Sequence, residues 1–274
     1  MTEPGGSGTP HWVRSLATIG SPIALVTALL FYFGWVRTRF QARALGYDPA
    51  VLQLSVQDYL LKSVNVLFLP FVVLVLVVLV LHHQHRRLIA AARRSDRVRA
   101  SASRAGRLLV WSWPIWLLTA GVMLALPATR FIAVPISLSI GLLLALYGST
   151  LTRTVGSGAS WPRTTSIIVG ILLAFAIFWD TERIARATGE AFAQDILVYP
   201  WQLVAVTVYS EKRLELAVPG VTESELRPDS AYHFRYTGLR LLEGTHDRYV
   251  LLGENGGNIV VLKDEQGLRF EFSR

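Results

Sequence analysis

The sequence predicts a membrane α-helical bundle of about five transmembrane helices, followed by a small C-terminal antiparallel β domain, either a barrel or a sandwich. Hydrophobic residues make up 52% of the 274-residue chain, and the mean hydropathy is +0.41, both high for a water-soluble globule. Long apolar runs lie before residue 180, whereas apolar and polar residues alternate after residue 200. Such alternation is typical of strands with one buried face.

The charges are distributed unevenly along the chain. Residues 1–180 contain sixteen Lys and Arg against five Asp and Glu, whereas residues 181–274 contain eleven against fourteen, so the net charge of +8 divides into +11 and −3. Positive charge in loops between apolar runs indicates membrane topology rather than a nucleic-acid partner, and we expect none. The chain has no Cys, which excludes disulfides, thiolate nucleophiles and Cys-ligated metals.

Five apolar runs have about the length that crosses a bilayer, whose hydrocarbon core of about 30 Å takes about 20 helical residues. They lie at residues 16–36, 64–81, 108–126, 131–147 and 164–179. Trp side chains prefer the headgroup level, and Trp161 and Trp179 bracket the short fifth run. We expect a disordered tail at 1–15, a transmembrane domain at 16–180, a helical connector at 181–200 and a β domain at 201–274.

The orientation follows from the Lys and Arg in short loops, which favour the cytoplasm. Residues 82–107 contain eight Arg against one acidic residue, Asp96. We therefore expect a multi-pass protein of the cell membrane with a cytoplasmic N-terminus and an extracytoplasmic β domain. Arg37, Arg39 and Arg43 oppose this interpretation, because they follow the first run on the side that would be external.

Small residues predict how two of the helices pack. Close helix approach in lipid depends on such residues. The fourth run carries Ser137, Gly141 and Ala145 four residues apart, and the fifth carries Gly170 and Ala174. We expect these two helices to contact each other there, although small residues are also common in membrane helices without such a role. The interiors of the runs lack Asp, Glu, Lys, Arg and His, which disfavours an ion-coupled transporter.

The segment between the first two runs carries a turn signal and a resemblance. Gly46-Tyr47-Asp48-Pro49 predicts the turn, and Ser55 is placed to cap a short amphipathic helix on the membrane surface. The motifs FGW-x-R, LGYDP and LS-x-x-DYLLKS here, with YTGLRLL near the C-terminus, resemble an uncharacterised family of actinobacterial multi-pass membrane proteins. The resemblance implies topology and family membership, and it implies no substrate.

The β domain shows six or seven short strands separated by turn signals. Alternating residues mark strands at 204–208, 214–218, 232–236 and 268–272, and shorter apolar strands are expected at 239–242, 249–252 and 259–262. A domain of this size without disulfides is marginally stable alone. We therefore expect it to lean on the membrane, on the segment between the first two runs, or on another copy of the chain.

Candidate chemical sites are weak, and we expect no catalytic residue, no metal and no cofactor. His82, His83 and His85 have poor spacing for a metal on a helix, and Asp180 and Glu182 point to different helix faces. A candidate partner surface is formed by three residues of the β domain: Tyr232, His233 and Arg235.

Two functions therefore stay open for the chain. The first is a non-enzymatic envelope protein in the lipid bilayer, whose β domain binds a protein partner or another copy of the chain. The alternative is a passive channel or export-system component that the β domain gates or docks.

Overall fold

The computed structural model describes residues 22–126, 130–156, 161–245 and 247–273. The helices in these ranges are α1 (Pro22–Leu45), α2 (Val56–Arg94), α3 (Asp96–Val110), α4 (Trp113–Ala125), α5 (Arg130–Val155) and α6 (Arg163–Val198). Within the described ranges, five helical stretches are long and apolar enough to cross a membrane, with α3 and α4 together forming one of them. The predicted five-helix membrane fold is confirmed. The expected tail at 1–15 lies outside the described residues.

Two helices are much longer than the apolar runs inside them. The 39 residues of α2 and the 36 residues of α6 extend roughly 54 to 58 Å, nearly twice the hydrocarbon core. The short surface helix predicted after Ser55 is therefore the start of α2, and the predicted connector at 181–200 is the second half of α6. Since no Pro or Gly pair interrupts residues 180–198, nothing in this polar stretch ends the helix.

The chain forms two compact units. The first, here called the terminal unit, combines the described residues up to 64 with those from 186 onward, and the second, the middle unit, comprises the described residues between 65 and 185. The β domain therefore shares a unit with α1, with the segment after it and with the ends of two long helices. The domain boundaries expected from the sequence, at 16–180, 181–200 and 201–274, stay a prediction.

In the middle unit, α5 packs along α3 and α4. The backbones of α3 and α5 approach each other closely at Gly106 and Gly148, where a Cβ added to Gly148 would lie 2.7 Å from the Gly106 carbonyl oxygen. Ala102 and Leu151 form a buried cluster beside this contact. Small residues thus allow two backbones to meet, as helix association in lipid requires.

The small face of α5 is buried, but its partner differs from the prediction. Ser137 and Ala145 are buried, and a Cβ added to Gly141 would meet the side chain of Trp116 in α4 at 2.6 Å. Gly141 and Trp116 also line an apolar cavity of about 240 Å³. The bulky indole of Trp116 therefore occupies the space that α6 was expected to fill.

The predicted contact of α6 through Gly170 and Ala174 is wrong. A Cβ added to Gly170 would meet nothing within 4 Å, and Ala174 is exposed. A polar contact joins α5 and α6 elsewhere, where the Ser139 hydroxyl donates to the Asp180 carboxylate at 2.5 Å. Small residues on α6 are compatible with close packing, but they do not predict which helix packs against them.

In the terminal unit, α1 meets two other helices at glycines. A Cβ added to Gly34 would overlap the carbonyl oxygen of Tyr59 at the start of α2, and one added to Gly189 of α6 would overlap the carbonyl oxygen of Arg37. Phe192 of α6 lies under the Arg37 guanidinium, 5.6 Å from ring centroid to Cζ. Side chains such as Val36 and Ala42 in the second half of α1 are accordingly buried, while its first half exposes apolar side chains.

The β domain is one curved antiparallel sheet. Its strands are β1 (Ala205–Ser210), β2 (Thr222–Glu225), β3 (Phe234–Gly244), β4 (Arg248–Gly253), β5 (Ile259–Lys263) and β6 (Leu268–Ser273). Their order is β5-β4-β3-β1-β6, and β2 pairs with β3 beside β4. The Tyr249 ring of β4 lies 4.4 Å from the Phe270 ring of β6, so the sheet curls around its core and is closer to a barrel than to a sandwich.

One predicted strand is absent from the described sheet. Residues 214–218 form no ladder, although Leu214 and Leu216 pack on the core. The Leu214 N–H donates to the hydroxyl of fully buried Tyr236 at 2.7 Å, and Glu215 has a φ of +49°. The left-handed residue interrupts an extended chain, so the alternation reflects packing without strand pairing.

We expect the stability of the protein to depend on the close contacts that α1 makes at Gly34 and Gly189, and not on Gly170. Gly34→Ala and Gly189→Ala should each lower the free energy of unfolding by about 1–3 kcal/mol, because the neighbouring atoms belong to backbones that cannot rotate away. Thermal unfolding of the detergent-purified protein measures the effect.

The matched control is Gly170→Ala. Its Cβ has open space, and Ala is a better helix former than Gly by roughly 1 kcal/mol. The control should be neutral or slightly stabilising. A loss of stability in Gly170→Ala, together with none in Gly34→Ala, would contradict the packing described here.

Candidate functional site at the junction of the hairpin and the β domain

The chain between α1 and α2, here called the hairpin segment (residues 46–55), reverses direction within a few residues. Gly46 has a φ of +86°, which a residue without a Cβ adopts freely. The Asp48 carboxylate accepts a hydrogen bond from the Ala50 N–H at 2.9 Å and caps a 3₁₀ turn at Pro49–Leu52. The predicted turn is confirmed, and it places Tyr47 and Val51 beside the β domain.

A capping box begins α2 and positions its first turn. The Ser55 N–H donates to the Asp58 carboxylate at 2.8 Å, and the Asp58 N–H donates back to the Ser55 hydroxyl oxygen at 3.2 Å. Reciprocal bonds of this kind satisfy the free N–H groups at a helix start. The predicted Ser55 cap is confirmed, and Lys62 follows one turn after Asp58 on the same helix.

Glu243 of β3 is the centre of the contact with the hairpin segment. A bulge between Leu241 and Glu243 interrupts the pairing of β3 with β4, and bulges re-aim the side chains next to them. The Glu243 carboxylate is paired with the Lys62 ammonium, and their side chains are only 13% and 24% exposed. The Tyr47 hydroxyl donates to the second carboxylate oxygen at 3.5 Å.

The phenol of Tyr47 is kept protonated by its surroundings. Burial and the negative charge of Glu243 together raise the pKa of Tyr47 far above its ordinary value near 10. Since the neutral form is the one that carries the O–H, Tyr47 stays a donor to Glu243 throughout the physiological range.

A second strand fastens the same hairpin segment. The Arg248 guanidinium of β4 donates to the Val51 carbonyl oxygen at 2.7 Å. These residues, with Glu243, Lys62 and Tyr47, are here called the junction. A groove of about 670 Å³ runs beside it, and Leu54, Asp58 and Asp247 belong to its lining. The β domain therefore leans on the hairpin segment, which is one of the three supports expected from the sequence.

The outer face of the sheet carries the predicted partner surface. The Tyr232 ring lies 6.3 Å from the Tyr209 ring, the His233 Nδ1 lies 3.1 Å from the Glu211 carbonyl oxygen, and Arg235 pairs with Tyr209 in the strand register. His233 and Arg235 are exposed and Tyr232 is half-buried. The structure thus brings the three residues together.

Polar neighbours on β6 extend this outer face. The Tyr209 hydroxyl donates to the Glu271 carboxylate at 3.0 Å, and Arg269 pairs with the same carboxylate at 3.3 Å. We call the set the outer patch, which comprises Tyr209, Tyr232, His233, Arg235, Arg269 and Glu271.

The other candidate side chains lie apart. His85 packs its ring 5.9 Å from the Tyr147 ring, and His82 and His83 are exposed. Asp180 bonds to Ser139, and Glu182 lies 3.6 Å from Arg183. In the part of the chain that the structure describes, no three His, Asp or Glu side chains are grouped to hold a metal ion. His246 lies outside the described residues.

Sequence reasoning missed the junction. Lys62 is one of only three Lys in the chain, but its partner lies 181 residues away, and no local pattern links the two. The strand expected at 239–242 stops short of Glu243, whereas β3 continues to Gly244. An unusual Lys in an Arg-rich chain was the only available signal.

We expect the Lys62–Glu243 pair to stabilise the terminal unit. Lys62→Glu and Glu243→Lys should each lower the free energy of unfolding by about 1–3 kcal/mol, because each leaves a partly buried charge beside a like charge. The double exchange should recover at least about 1 kcal/mol of the summed loss. Thermal unfolding of the purified protein followed at the β domain provides the measurement.

The pair Lys263 and Glu265 is a matched control. Its side chains are 55% and 59% exposed and lie 2.9 Å apart, and exposed pairs contribute between about 0 and 1 kcal/mol. The same exchange there should change stability little. Equal effects at both pairs would mean that the junction carries no special stability.

Comparison with models of known protein families, with curated proteins and with solved structures finds no match for the chain. The likeness of its motifs to an actinobacterial multi-pass family stays a prediction.

Proposed function

We propose that the chain is a non-enzymatic, membrane-anchored binding component of the cell envelope. Its helices and hairpin segment hold the β domain in place, and the outer patch of the sheet binds a protein partner. The observation that carries this proposal is the junction, where Glu243 and Arg248 of two different strands bond to the hairpin segment and Glu243 also pairs with Lys62 near the start of α2.

Two attachments restrict the β domain more than one does. The chain enters the domain directly from α6, which ends at Val198 only a few residues before β1 begins at Ala205. The junction then ties β3 and β4 to the segment between α1 and α2. A surface held in this way loses less freedom when it binds, and such preorganisation raises affinity.

The outer patch has the composition of a binding surface. Tyr and Arg are enriched where binding energy concentrates in protein interfaces. The Tyr209 and Tyr232 rings present rigid apolar area, and Arg235 is exposed beside them. The hydrogen bond and ion pair to Glu271 orient Tyr209 and Arg269 in advance.

The proposed orientation places the outer patch outside the cytoplasm. The eight Arg of residues 82–107 support this orientation. Arg37, Arg39 and Arg43 oppose it, because they would lie on the external side, but they are fewer. The partner would then be an envelope protein or the external part of a membrane protein.

Photo-crosslinking in native membranes tests the proposed surface. A photoreactive amino acid at Arg235 should yield one or a few discrete crosslinked products, because a specific partner covers the patch. The identity of the crosslinked protein also reports the compartment in which the β domain lies. Replacing Tyr232 by Ala in the same chain should reduce the yield several-fold, since truncated hot-spot residues typically cost about 2 kcal/mol or more.

A photoreactive residue at Lys263 is the control, because Lys263 is equally exposed but lies on β5 at the other end of the sheet order. The same products from both positions would indicate random collision and contradict a specific surface. Ion flux into liposomes that contain the purified protein, with no crosslinked product from Arg235, would favour the channel alternative.

A further inference from the structure

A basic pocket lies at the end of α1, apart from the outer patch. It has a volume of about 580 Å³, within the range of small-molecule sites. We call it the arginine pocket, and its functional lining comprises Trp35, Arg39, Arg43, Tyr47, Asp48 and Tyr59.

The position of the pocket along α1 matches the headgroup layer of a bilayer. The first apolar run ends at Val36, and the first half of α1 exposes apolar side chains such as Ile23 and Leu25. At about 1.5 Å per residue, Arg39 lies about 4 Å and Arg43 about 10 Å beyond that end. The polar layer on each side of the hydrocarbon is about 5–8 Å thick, and Arg side chains can reach into it.

The two guanidinium groups are arranged for an anion. Arg39 and Arg43 are four residues apart and share one helix face, and both are exposed. The Arg39 Cζ lies 5.0 Å from the Trp35 ring centroid, and the Arg43 Cζ lies 5.6 Å from the Phe40 ring centroid. Stacking on a ring orients the planar group and leaves its N–H donors in the plane free.

Neither guanidinium is neutralised by a carboxylate of the described residues. The one carboxylate in the pocket, that of Asp48, accepts a hydrogen bond from the Ala50 N–H. Arg43 also lies in the last turn of α1, where a positive charge offsets the helix dipole. That role accounts for Arg43 but not for Arg39 or the aromatic walls.

We propose that the arginine pocket binds the phosphate of an anionic phospholipid headgroup. Planar guanidinium groups bind phosphate oxygens through paired N–H donors, and the Trp35 and Tyr59 rings suit the boundary between headgroups and hydrocarbon. Tyr47 lines the pocket and also donates to Glu243, so the bound headgroup shares a wall with the junction. This site is independent of the proposed binding by the outer patch.

Lipid retention tests the site. The full-length protein is incorporated into vesicles with equal amounts of phosphatidylglycerol and phosphatidylcholine, extracted, and analysed for bound lipid by native mass spectrometry. The parent protein should retain phosphatidylglycerol preferentially. Replacing Arg39 and Arg43 together by Gln should reduce that preference at least about fivefold, since each basic residue near an anionic surface contributes about a factor of five.

Two variants separate the pocket from general charge. Arg104→Gln with Arg107→Gln removes the same charge from exposed positions of α3 and should leave the preference unchanged. Arg39→Lys keeps the charge but loses the planar fork, and it should lose part of the preference. All variants should keep the thermal midpoint of the parent β domain, because the replaced side chains are exposed.

Three results would overturn the proposal. One is a parent protein without preference for phosphatidylglycerol, and another is an equal loss in both Gln double variants, which would indicate net charge alone. The third is that inorganic phosphate displaces the retained lipid and stabilises the protein as much as the lipid does, which would assign the pocket to free phosphate. None of these results bears on crosslinking from the outer patch.

Discussion

A carboxylate that is largely removed from water needs donors, and Glu243 finds one in the hairpin segment and one near the start of α2. The Lys62 ammonium pairs with it, and Tyr47 reaches it from the turn that ends α1. Burying an unpaired charge is far more costly than burying a paired one. The position of the β domain, the order of the hairpin segment and the fixed presentation of the outer patch all depend on this interaction. The capping box at Ser55 and the bulge before Glu243 matter because they place the two sides of the pair.

A second constraint on the structure is the close approach of helix backbones to one another. Gly34 and Gly189 allow α1 to lie against the first turn of α2 and the second half of α6. The same device joins α3 to α5 at Gly106 and Gly148. In each case a side chain at the glycine would force the two backbones apart. The glycines therefore determine how close the two helices lie, and not how strongly they bind each other. The polar extensions of α2 and α6 can remain helical because each is covered on one side by such a contact.

The sequence predicted the parts that depend on local pattern. Five apolar runs, the turn at Gly46, the Ser55 cap and the alternation of most strands each reflect a few neighbouring residues, and the structure contains them. It failed where the outcome depends on distant partners. Leu214 and Leu216 follow the alternating pattern of a strand and pack on the core, but they pair with no neighbouring strand of the described sheet. The Leu214 N–H donates its hydrogen bond to the Tyr236 hydroxyl instead. Gly141 was paired with Gly170, although a Trp116 side chain fills the space beside it. The junction joins residues almost two hundred positions apart, so only tertiary structure reveals it.

The β domain is held by the hairpin segment as well as by its covalent connection to α6. Because the chain has no Cys, spin labels can be attached only at introduced positions, such as exposed Ala50 in the hairpin segment and exposed Lys263 in β5. Pulsed electron paramagnetic resonance in lipid nanodiscs then measures the distribution of distances between them. Because the junction fixes the β domain on the hairpin segment, we expect a single narrow distribution that broadens when Glu243 and Arg248 are both replaced by Ala. A broad distance distribution in the protein with its junction unchanged would contradict this attachment. So would a narrow distribution that the two replacements leave unchanged.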